Sequence, residues 1–271
     1  MITFDAHTHS GNSYDADHST SIKDMCESAI SKGLTHIAIT DHFDVNAIPD
    51  GYNMPYDPET IYKEFNEAKE IYGDRIVMSF GVELGQYYQY PHLAKENLEK
   101  YPYQTILGSI HSLRGKPDFA FQNMREKDEG EFKQDWLTYL EEECELLDLG
   151  GFDVLTHLTY PLRYMNRIGR RFDMSYDHDH VKTVLKKVID KDVILEVNSS
   201  GYRQGVGSPL PDMRIIKMYK ELGGKLISIG SDAHKATDIG SDFDKTAELL
   251  KECGFDTICF PYERERIFEK I

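Results

Sequence analysis

Residues 2–10 read ITFDAHTHS, a short apolar run that leads directly into two histidines two positions apart. The run 2–6 has the length and composition of a short buried strand. Side chains two apart in an extended segment point to the same side, so His7 and His9 can hold one metal ion together. The same succession, a strand followed by metal-type side chains, recurs along the chain and decides the fold that we expect.

Short runs rich in β-branched residues alternate with amphipathic segments. The predicted strands are 2–6, 36–40, 76–82, 105–110, 153–156, 193–197, 226–230 and 257–260. The predicted helices are 21–32, a helix that begins at Asp57 and Pro58, 132–149, 181–189, 213–222 and 243–253. This alternation predicts a parallel sheet of βα units, and seven or eight units around one core make an α/β barrel of the TIM type.

No Pro/Gly/Ser-rich linker, internal repeat or low-complexity tract interrupts the 271 residues. We therefore expect one domain, residues 1–271, because α/β barrels commonly use roughly 200–250 residues as a single unit. The longest stretch without clear periodicity is 113–130, and we expect it to form a lid or a surface excursion.

Each predicted strand except the last is followed by a side chain that can bind metal or phosphate. These side chains are His7, His9, His42, Glu83, His111, His157, Asn198, Asp232 and His234. The carboxyl ends of the strands of a parallel barrel all lie on one face, where the active sites of such barrels are built. Imidazole suits zinc, iron and manganese, and a carboxylate can bridge two ions. Six histidines with several acids therefore predict a multinuclear metal centre.

The remaining histidines carry a weaker signal. His36 begins the second strand, at the end opposite the expected site, so a structural role is favoured. His92 precedes a helix and is expected at the surface. The run 177–180, Asp-His-Asp-His, lies at a helix N-terminus, where solvated acids are ordinary.

Charge and composition exclude several classes of protein. The chain has 31 Lys and Arg against 47 Asp and Glu, a net charge of -16 without a basic cluster, which excludes the usual footprint of nucleic-acid binding. No apolar stretch approaches the roughly 20 residues that cross a bilayer, and no signal peptide is recognisable, so we expect a cytoplasmic protein. The four cysteines are far apart and are expected to be buried thiols. The oligomeric state cannot be inferred from the sequence.

At its strand ends the sequence resembles the polymerase and histidinol phosphatase (PHP) superfamily. The matching motifs are HTHS at 7–10, TDH at 40–42, GVE at 81–83, GSIH at 108–111, TH at 156–157, EVNSSG at 196–201 and GSDAH at 230–234. The resemblance implies a distorted (β/α)7 TIM-like barrel with its active site at the C-terminal ends of the strands. It also implies up to three divalent metals, zinc, manganese or iron.

The resemblance implies three sets of metal ligands. The first is His7, His9, Glu83 and Asp232. The second shares Glu83 and adds His111 and His157. The third is His42, His234 and Asp15, with Asp17 and His18 as alternatives to Asp15.

Two further segments resemble the histidinol phosphatases of this superfamily. Arg163 follows the fifth-strand histidine, and Arg203 ends the segment EVNSSGYR at 196–203. We expect these two arginines, with Asn198, to bind substrate, because guanidinium matches phosphate oxygens in a two-point geometry. Arg114 and Lys116, just beyond His111, are further basic residues within possible reach of a substrate.

The resemblance implies hydrolysis of a phosphate monoester, L-histidinol phosphate in histidine biosynthesis, by a metal-activated water. Asp232 and His234 are the candidate catalytic groups, and the leaving group takes its proton from Asp232 or from a water on the third metal. The residues expected to line the mouth and bind the amine and imidazole of the substrate are Asp44, Tyr87, Tyr88 and Tyr160.

Three alternatives stay open at this point. The first is a PHP phosphoesterase that acts on another ester, such as a nucleotide or a phosphotyrosine. The second is a noncatalytic metal-binding domain. The third is metal-dependent amide or ring hydrolysis, which shares the HxH start and the barrel; the GVE segment at 81–83 and the paired arginines make it weaker.

Overall fold

The computed structural model describes residues 2–47, 49–51, 53–170 and 178–271. The strands are β1 (Phe4–Asp5), β2 (His36–Ile39), β3 (His42–Asp44), β4 (Val77–Gly85), β5 (Thr105–Ser109), β6 (Val154–Leu155), β7 (Ile194–Asn198), β8 (Ile227–Gly230), β9 (Thr257–Tyr262) and β10 (Glu265–Lys270). The helices are α1 (Ile22–Ser31), α2 (Pro58–Tyr72), α3 (Pro91–Lys100), α4 (Glu129–Leu149), α5 (Tyr160–Arg167), α6 (His178–Asp190), α7 (Ser200–Arg203), α8 (Met213–Glu221) and α9 (Phe243–Glu252).

Seven parallel strands form a nearly closed barrel in the order β1-β2-β4-β5-β6-β7-β8, and β3 pairs with the later half of β4. The two ends of the sheet meet just beyond β1 and β8. There the Asp232 amide donates to the His7 carbonyl at 2.8 Å and the His9 amide donates to the Ala233 carbonyl at 2.8 Å. The predicted TIM-like barrel is confirmed, and these closing bonds lie among the predicted metal ligands.

Local sequence signals account for the helix starts. Ser21 forms a capping box with Asp24 at the start of α1, and Asp57 caps α2 with Pro58 as its first residue. Strands of a parallel barrel are buried on both faces, so β7 and β8 consist of apolar residues with few polar exceptions. Those exceptions include Glu196, whose carboxylate contacts the candidate metal ligand His7.

The last predicted strand is not an eighth barrel unit. Residues 257–262 form β9, which pairs antiparallel with β10 through the two-residue turn Glu263-Arg264. Both turn residues have positive φ, 52° and 64°, as a tight hairpin turn requires, and so short a connection permits only antiparallel pairing. The β9-β10 hairpin covers the N-terminal end of the barrel, where Thr105 Oγ1 donates to the Pro261 carbonyl at 2.8 Å.

Several other elements differ from the expectation. Strand β3 and helices α5 and α7 were not predicted. The helix expected after His92 is α3, but it begins at Pro91, so His92 lies exposed in its first turn. The expected lid or surface excursion, 113–130, is irregular up to Asp128. Asp128 caps α4, which begins at Glu129, three residues before the predicted start at Phe132. Of the run 177–180, residue 177 lies outside the described residues, and 178–180 begin α6.

The cysteines are all free; Cys26, Cys253 and Cys259 are buried, and Cys144 is partly exposed. His36 packs against Phe260 at the hairpin end of the barrel, with 5.5 Å between ring centroids, away from the metal ligands. Within the described ranges, none of the helices has the length and apolar character that crossing a bilayer demands.

We expect Phe260→Ala to lower the free energy of unfolding by about 3–5 kcal/mol, the usual cost of deleting a buried aromatic side chain. The Phe260 ring is 0% exposed and lies 5.1 Å from the ring of Phe4, so its loss leaves a cavity beneath β1. Urea unfolding followed by circular dichroism measures the change. Phe268→Ala on the same hairpin is the control, because that side chain is 58% exposed; equal losses for both variants would contradict the role given to Phe260.

Candidate metal centre

All nine predicted metal ligands converge at the C-terminal ends of the barrel strands. His7 and His9 follow β1, Asp15 lies in the next loop, His42 begins β3, Glu83 lies in β4, His111 follows β5, His157 follows β6, and Asp232 and His234 follow β8. Their donor atoms are linked in a continuous set of contacts. Residues separated by up to 227 positions, from His7 to His234, are thus brought to one mouth.

The first position is formed by His7, His9, Glu83 and Asp232. His7 Nε2 lies 3.0 Å from His9 Nε2 and 3.2 Å from Glu83 Oε2, and His9 Nε2 lies 3.4 Å from Asp232 Oδ1. Ligands about 2.1 Å from one tetrahedral ion are about 3.4 Å from each other. The spacing of these four side chains therefore fits one bound ion.

The second position uses the other oxygen of Glu83. Glu83 Oε1 lies 3.1 Å from His111 Nε2 and 2.9 Å from His157 Nε2, and these two nitrogens are 3.4 Å apart. Oε2 faces His7 and His9, and it also lies 3.0 Å from His42 Nδ1, so one carboxylate points its two oxygens at different groups of histidines. This is the arrangement of a bridging ligand.

The third position lies nearer the solvent. Asp15 Oδ1 is 3.6 Å from His42 Nε2, and Asp15 Oδ2 is 3.3 Å from His234 Nε2. The alternatives to Asp15 face elsewhere: Asp17 accepts from Ser19, and His18 Nδ1 lies 2.8 Å from the Gly11 carbonyl. The structure thus brings the side chain of Asp15, and neither alternative side chain, beside the rings of His42 and His234; Asp17 contacts His234 through its backbone amide, which donates to the His234 carbonyl at 3.0 Å.

The donor set fits divalent cations. His7 Nδ1 lies 2.7 Å from Glu196, and because a carboxylate only accepts, the ring proton belongs on Nδ1 and Nε2 presents a lone pair. Nε2 of His7 lies 3.0 Å from His9 Nε2 and 3.2 Å from Glu83 Oε2, so three donor atoms are directed at one point, as the ligands of a single ion would be. Burial together with His42 and His234 holds the pKa of His9 well below its ordinary value, so this imidazole is neutral, as a ligand must be.

Buried carboxylates orient the ligands from behind. Glu196 holds His7, and Asp44 Oδ1 lies 2.9 Å from His111 Nδ1. Asp44 was expected to line the mouth. That expectation is corrected, because its side chain is fully buried and accepts a hydrogen bond from His111. Neither supporting role was predicted, although a charged residue inside an apolar strand, such as Glu196, is a signal that could have indicated one.

A cavity of about 290 Å³ opens onto the centre. It is lined by Tyr14, Asp15, His42, His111, Asp118, Ala120, Phe121, His157, Tyr160, Arg163, Tyr164, Arg167, Gln204, Asp232 and His234. Arg163 Nη2 donates to Ser200 Oγ at 3.0 Å and to Asp232 Oδ2 at 3.2 Å, and its guanidinium lies over the Tyr160 ring. Arg163 and Tyr160 therefore occupy the cavity wall, as expected.

Asn198 and Arg203 lie behind the cavity wall. The Asn198 side chain is fully buried; it donates to Glu196 and accepts from Ser200. Arg203 Nη2 donates to the carbonyls of Ser231 and Asp232, at 2.7 and 3.3 Å. Both are placed to support Asp232 and its neighbours, and neither lines the cavity as substrate-binding residues would.

Four further candidates point elsewhere. Tyr87 packs against Phe152, Tyr88 donates to Glu142, Arg114 pairs with Glu145, and Lys116 pairs with Asp135. The cavity instead contains residues that the sequence did not single out. They are Tyr14, Asp118, Ala120, Phe121, Tyr164, Arg167 and Gln204.

Known proteins resemble this chain over most of its length. The chain matches the PHP domain over residues 5–200. It is 26% identical over 261 residues to a probable histidinol-phosphatase of Clostridium acetobutylicum, covering 96% of this chain and 97% of that one. It is 22% identical over 260 residues to a histidinol-phosphatase of Lactococcus lactis subsp. lactis, with 94% and 93% covered.

A solved structure shares the fold. The crystal structure of histidinol phosphate phosphatase from Lactococcus lactis subsp. lactis, complexed with zinc, L-histidinol and phosphate, matches with a TM-score of 0.79 at 19% identity and 98% coverage of both chains. The likeness establishes the same barrel across the chain. The metal-binding clusters described above lie within that barrel.

Proposed function

The chain belongs to the PHP domain family, and from that premise we propose that it is a metal-dependent histidinol-phosphatase, which hydrolyses L-histidinol phosphate to L-histidinol and phosphate in histidine biosynthesis. One observation carries the proposal. The bridged cluster around Glu83 forms the floor of a cavity whose wall presents the guanidinium of Arg163. Full-length relatives named histidinol-phosphatase support the choice of substrate.

The ions are proposed to number up to three, with zinc favoured by the solved relative and manganese and iron accepted by the same ligands. When bound, divalent ions supply charge that balances the phosphoryl oxygens, and they acidify water towards a pKa of about 7. Arg163 binds a phosphate oxygen, because its guanidinium lines the cavity and offers several donors in a planar fork.

Proton transfer completes the proposed reaction. Hydrolysis adds the hydroxyl of water to phosphorus and delivers its proton to the departing alcohol oxygen. Asp232 and His234 are the proposed groups that hold this proton, because both line the cavity and Asp232 Oδ1 lies 3.5 Å from His234 Nδ1. Arg163 Nη2 donates to the other oxygen, Asp232 Oδ2, which keeps Oδ1 directed at the centre.

Asp118 is the proposed partner of the substrate ammonium. Its side chain is 4% exposed, accepts from Tyr160 Oη at 3.0 Å and from the Ala120 amide, and has no basic partner among the described residues. Burial raises the pKa of Asp118 to about 6, so an incoming cation also favours its charged form. The cavity thus offers a cation for phosphate and a carboxylate for an amine.

We expect Asp118→Asn to raise KM for L-histidinol phosphate about 10-fold to 100-fold, since a charge-assisted hydrogen bond contributes roughly 1.5–3 kcal/mol. Steady-state kinetics on L-histidinol phosphate and on p-nitrophenyl phosphate measure the effect. The aryl ester has no amine, so its KM should change little. Equal increases for both esters would remove Asp118 from amine recognition.

The proposal is tested by a substrate panel combined with elemental analysis of the purified protein. Phosphate release from L-histidinol phosphate should exceed that from a nucleoside monophosphate and from a phosphotyrosine peptide. If histidinol phosphate were no better than a generic aryl phosphate, another phosphate ester would be the substrate. A metal-replete protein inactive on every ester would indicate a noncatalytic domain.

We also propose that residues 1–271 act as one domain and that the protein works in the cytoplasm. The apolar core runs continuously from Ile2 to Phe260, which supports the first point. The four unpaired cysteines fit a reducing compartment, which supports the second.

A further inference from the structure

One buried carboxylate contacts both halves of the centre. Glu196, 1% exposed in β7, places Oε1 2.7 Å from His7 Nδ1 and accepts with Oε2 from the His157 amide at 2.8 Å. His7 belongs to the first metal position and His157 to the second. Asn198 Nδ2 donates to the same Oε2 at 3.1 Å, so two oxygens accept from three donors.

We propose that Glu196 is a positioning residue that couples the first and second metal positions, so that the two ions are gained and lost together. The inference rests on the metal centre of the proposed function. Through Oε1, Glu196 sets the tautomer in which His7 Nε2 is a ligand. Through Oε2, it fixes the backbone from which the His157 ring projects.

The coupling depends on Glu196 having acceptors at both ends. A glutamine has one acceptor and one donor. If its oxygen faced the His157 amide and Asn198, its NH2 would face His7 Nδ1 and force the ring proton onto Nε2, which removes His7 as a ligand. If the glutamine amide were flipped, its NH2 would face the His157 amide and Asn198 Nδ2, which are both donors. Asn198 cannot relieve this by flipping, because its oxygen already accepts from the amide and hydroxyl of Ser200.

Asp44 supplies a matched control. It also holds a ligand histidine, but only Oδ1 accepts a hydrogen bond, from His111 at 2.9 Å; Oδ2 lies 3.9 Å from His42 Nδ1 and is buried without a hydrogen-bond partner in the described part of the chain. An asparagine can keep its oxygen on His111 and turn its NH2 to the unused side. The same chemical change, carboxylate to amide, should therefore have different consequences at positions 196 and 44.

The test is a Zn²⁺ titration of the metal-free full-length protein in competition with a chromogenic chelator. We expect E196Q to lower the affinity for two Zn²⁺ ions by about 10-fold to 100-fold, the usual effect of removing a partner of a metal-bound histidine. D44N should lower the affinity far less. Loss of one ion alone in E196Q, wild-type affinity in E196Q, or equal losses in both variants would overturn the coupling. Circular dichroism of the metal-free proteins shows whether each variant folds.

A charge-conserving double variant separates the two contacts. In E196Q/N198D, the new carboxylate at position 198 can accept from the side-chain NH2 at position 196. The amide oxygen at position 196 can then return to His7 Nδ1, while the His157 amide stays without an acceptor. We expect recovery of one ion and not of the other. Spectra of ¹⁵N-histidine-labelled zinc protein should show the Nδ1 proton of His7 in the wild type and the double variant but not in E196Q. Recovery of both ions or of neither would contradict the division of roles between the two oxygens.

This experiment contains no phosphate ester. Its failure would leave the proposed hydrolase activity untouched, and failure of the substrate panel would leave the coupling untouched.

Discussion

Glu83→Ala should lose two of the bound ions together with turnover, and kcat on L-histidinol phosphate should fall by about 10³-fold or more. The two oxygens of Glu83 face different histidines: Oε2 lies beside His7, His9 and His42, and Oε1 lies beside His111 and His157. Loss of an outer partner of a metal ligand already costs about 10-fold to 100-fold, so loss of a ligand shared by two ions should cost more.

Elemental analysis and steady-state kinetics on the same preparation measure this prediction. Glu83→Gln is the matched variant, because it keeps the size of the side chain and one acceptor oxygen but removes the charge and one bridging atom. We expect it to keep the fold, checked by circular dichroism, and still to lose activity. A Glu83→Ala protein with a full complement of metal would show that the two positions do not share this carboxylate.

Arg163→Ala should lower kcat/KM for phosphate esters by about 10²-fold to 10³-fold while the metal content is kept. The guanidinium is the buried cation of the cavity wall, and a charged donor directed at a phosphoryl oxygen contributes several kcal/mol in a water-poor site. Metal content should survive because the backbone of Asp232 stays held without Arg163: its carbonyl accepts from Arg203 Nη2 at 3.3 Å, and its amide donates to the His7 carbonyl at 2.8 Å.

Two other arginines provide the comparison. Arg167 also lines the cavity but is exposed and bonded to the Gln204 carbonyl, and Arg203 reaches the site only through the backbone of Ser231 and Asp232. Alanine at either position should lower kcat/KM by much less than Arg163→Ala. If Arg203→Ala had the larger effect, the phosphate site would have to be moved towards the backbone that Arg203 supports.

Eight of the nine proposed ligands could be picked out in the sequence because each follows a predicted strand, whereas their division among three positions was implied by the family resemblance. His111 and His157 stand directly after apolar runs, and a parallel barrel brings the C-terminal ends of all its strands to one face. Asp15 was harder to choose, because three polar candidates lie within four positions. Only the three-dimensional path of the loop turns Asp15 inward and Asp17 and His18 outward.

The supporting residues could not be read in the same way. Glu196 and His7 are 189 positions apart, and no local pattern records which buried carboxylate will meet which imidazole. Asp118 lies in an irregular stretch without periodicity, so nothing in the sequence directs it to the cavity. Asn198 and Arg203 also act through long-range packing. For the same reason they were predicted to bind substrate, whereas they lie behind the cavity wall.

The hairpin at the N-terminal end of the barrel also holds the segment that leads into β1. The amide and hydroxyl of Thr3 both donate to the Glu269 carboxylate of β10, at 3.0 and 2.5 Å, on the side of the molecule away from the metal ligands. Since β1 runs directly into His7 and His9, the hairpin anchors, from the opposite end of the barrel, the strand that carries two of the candidate ligands.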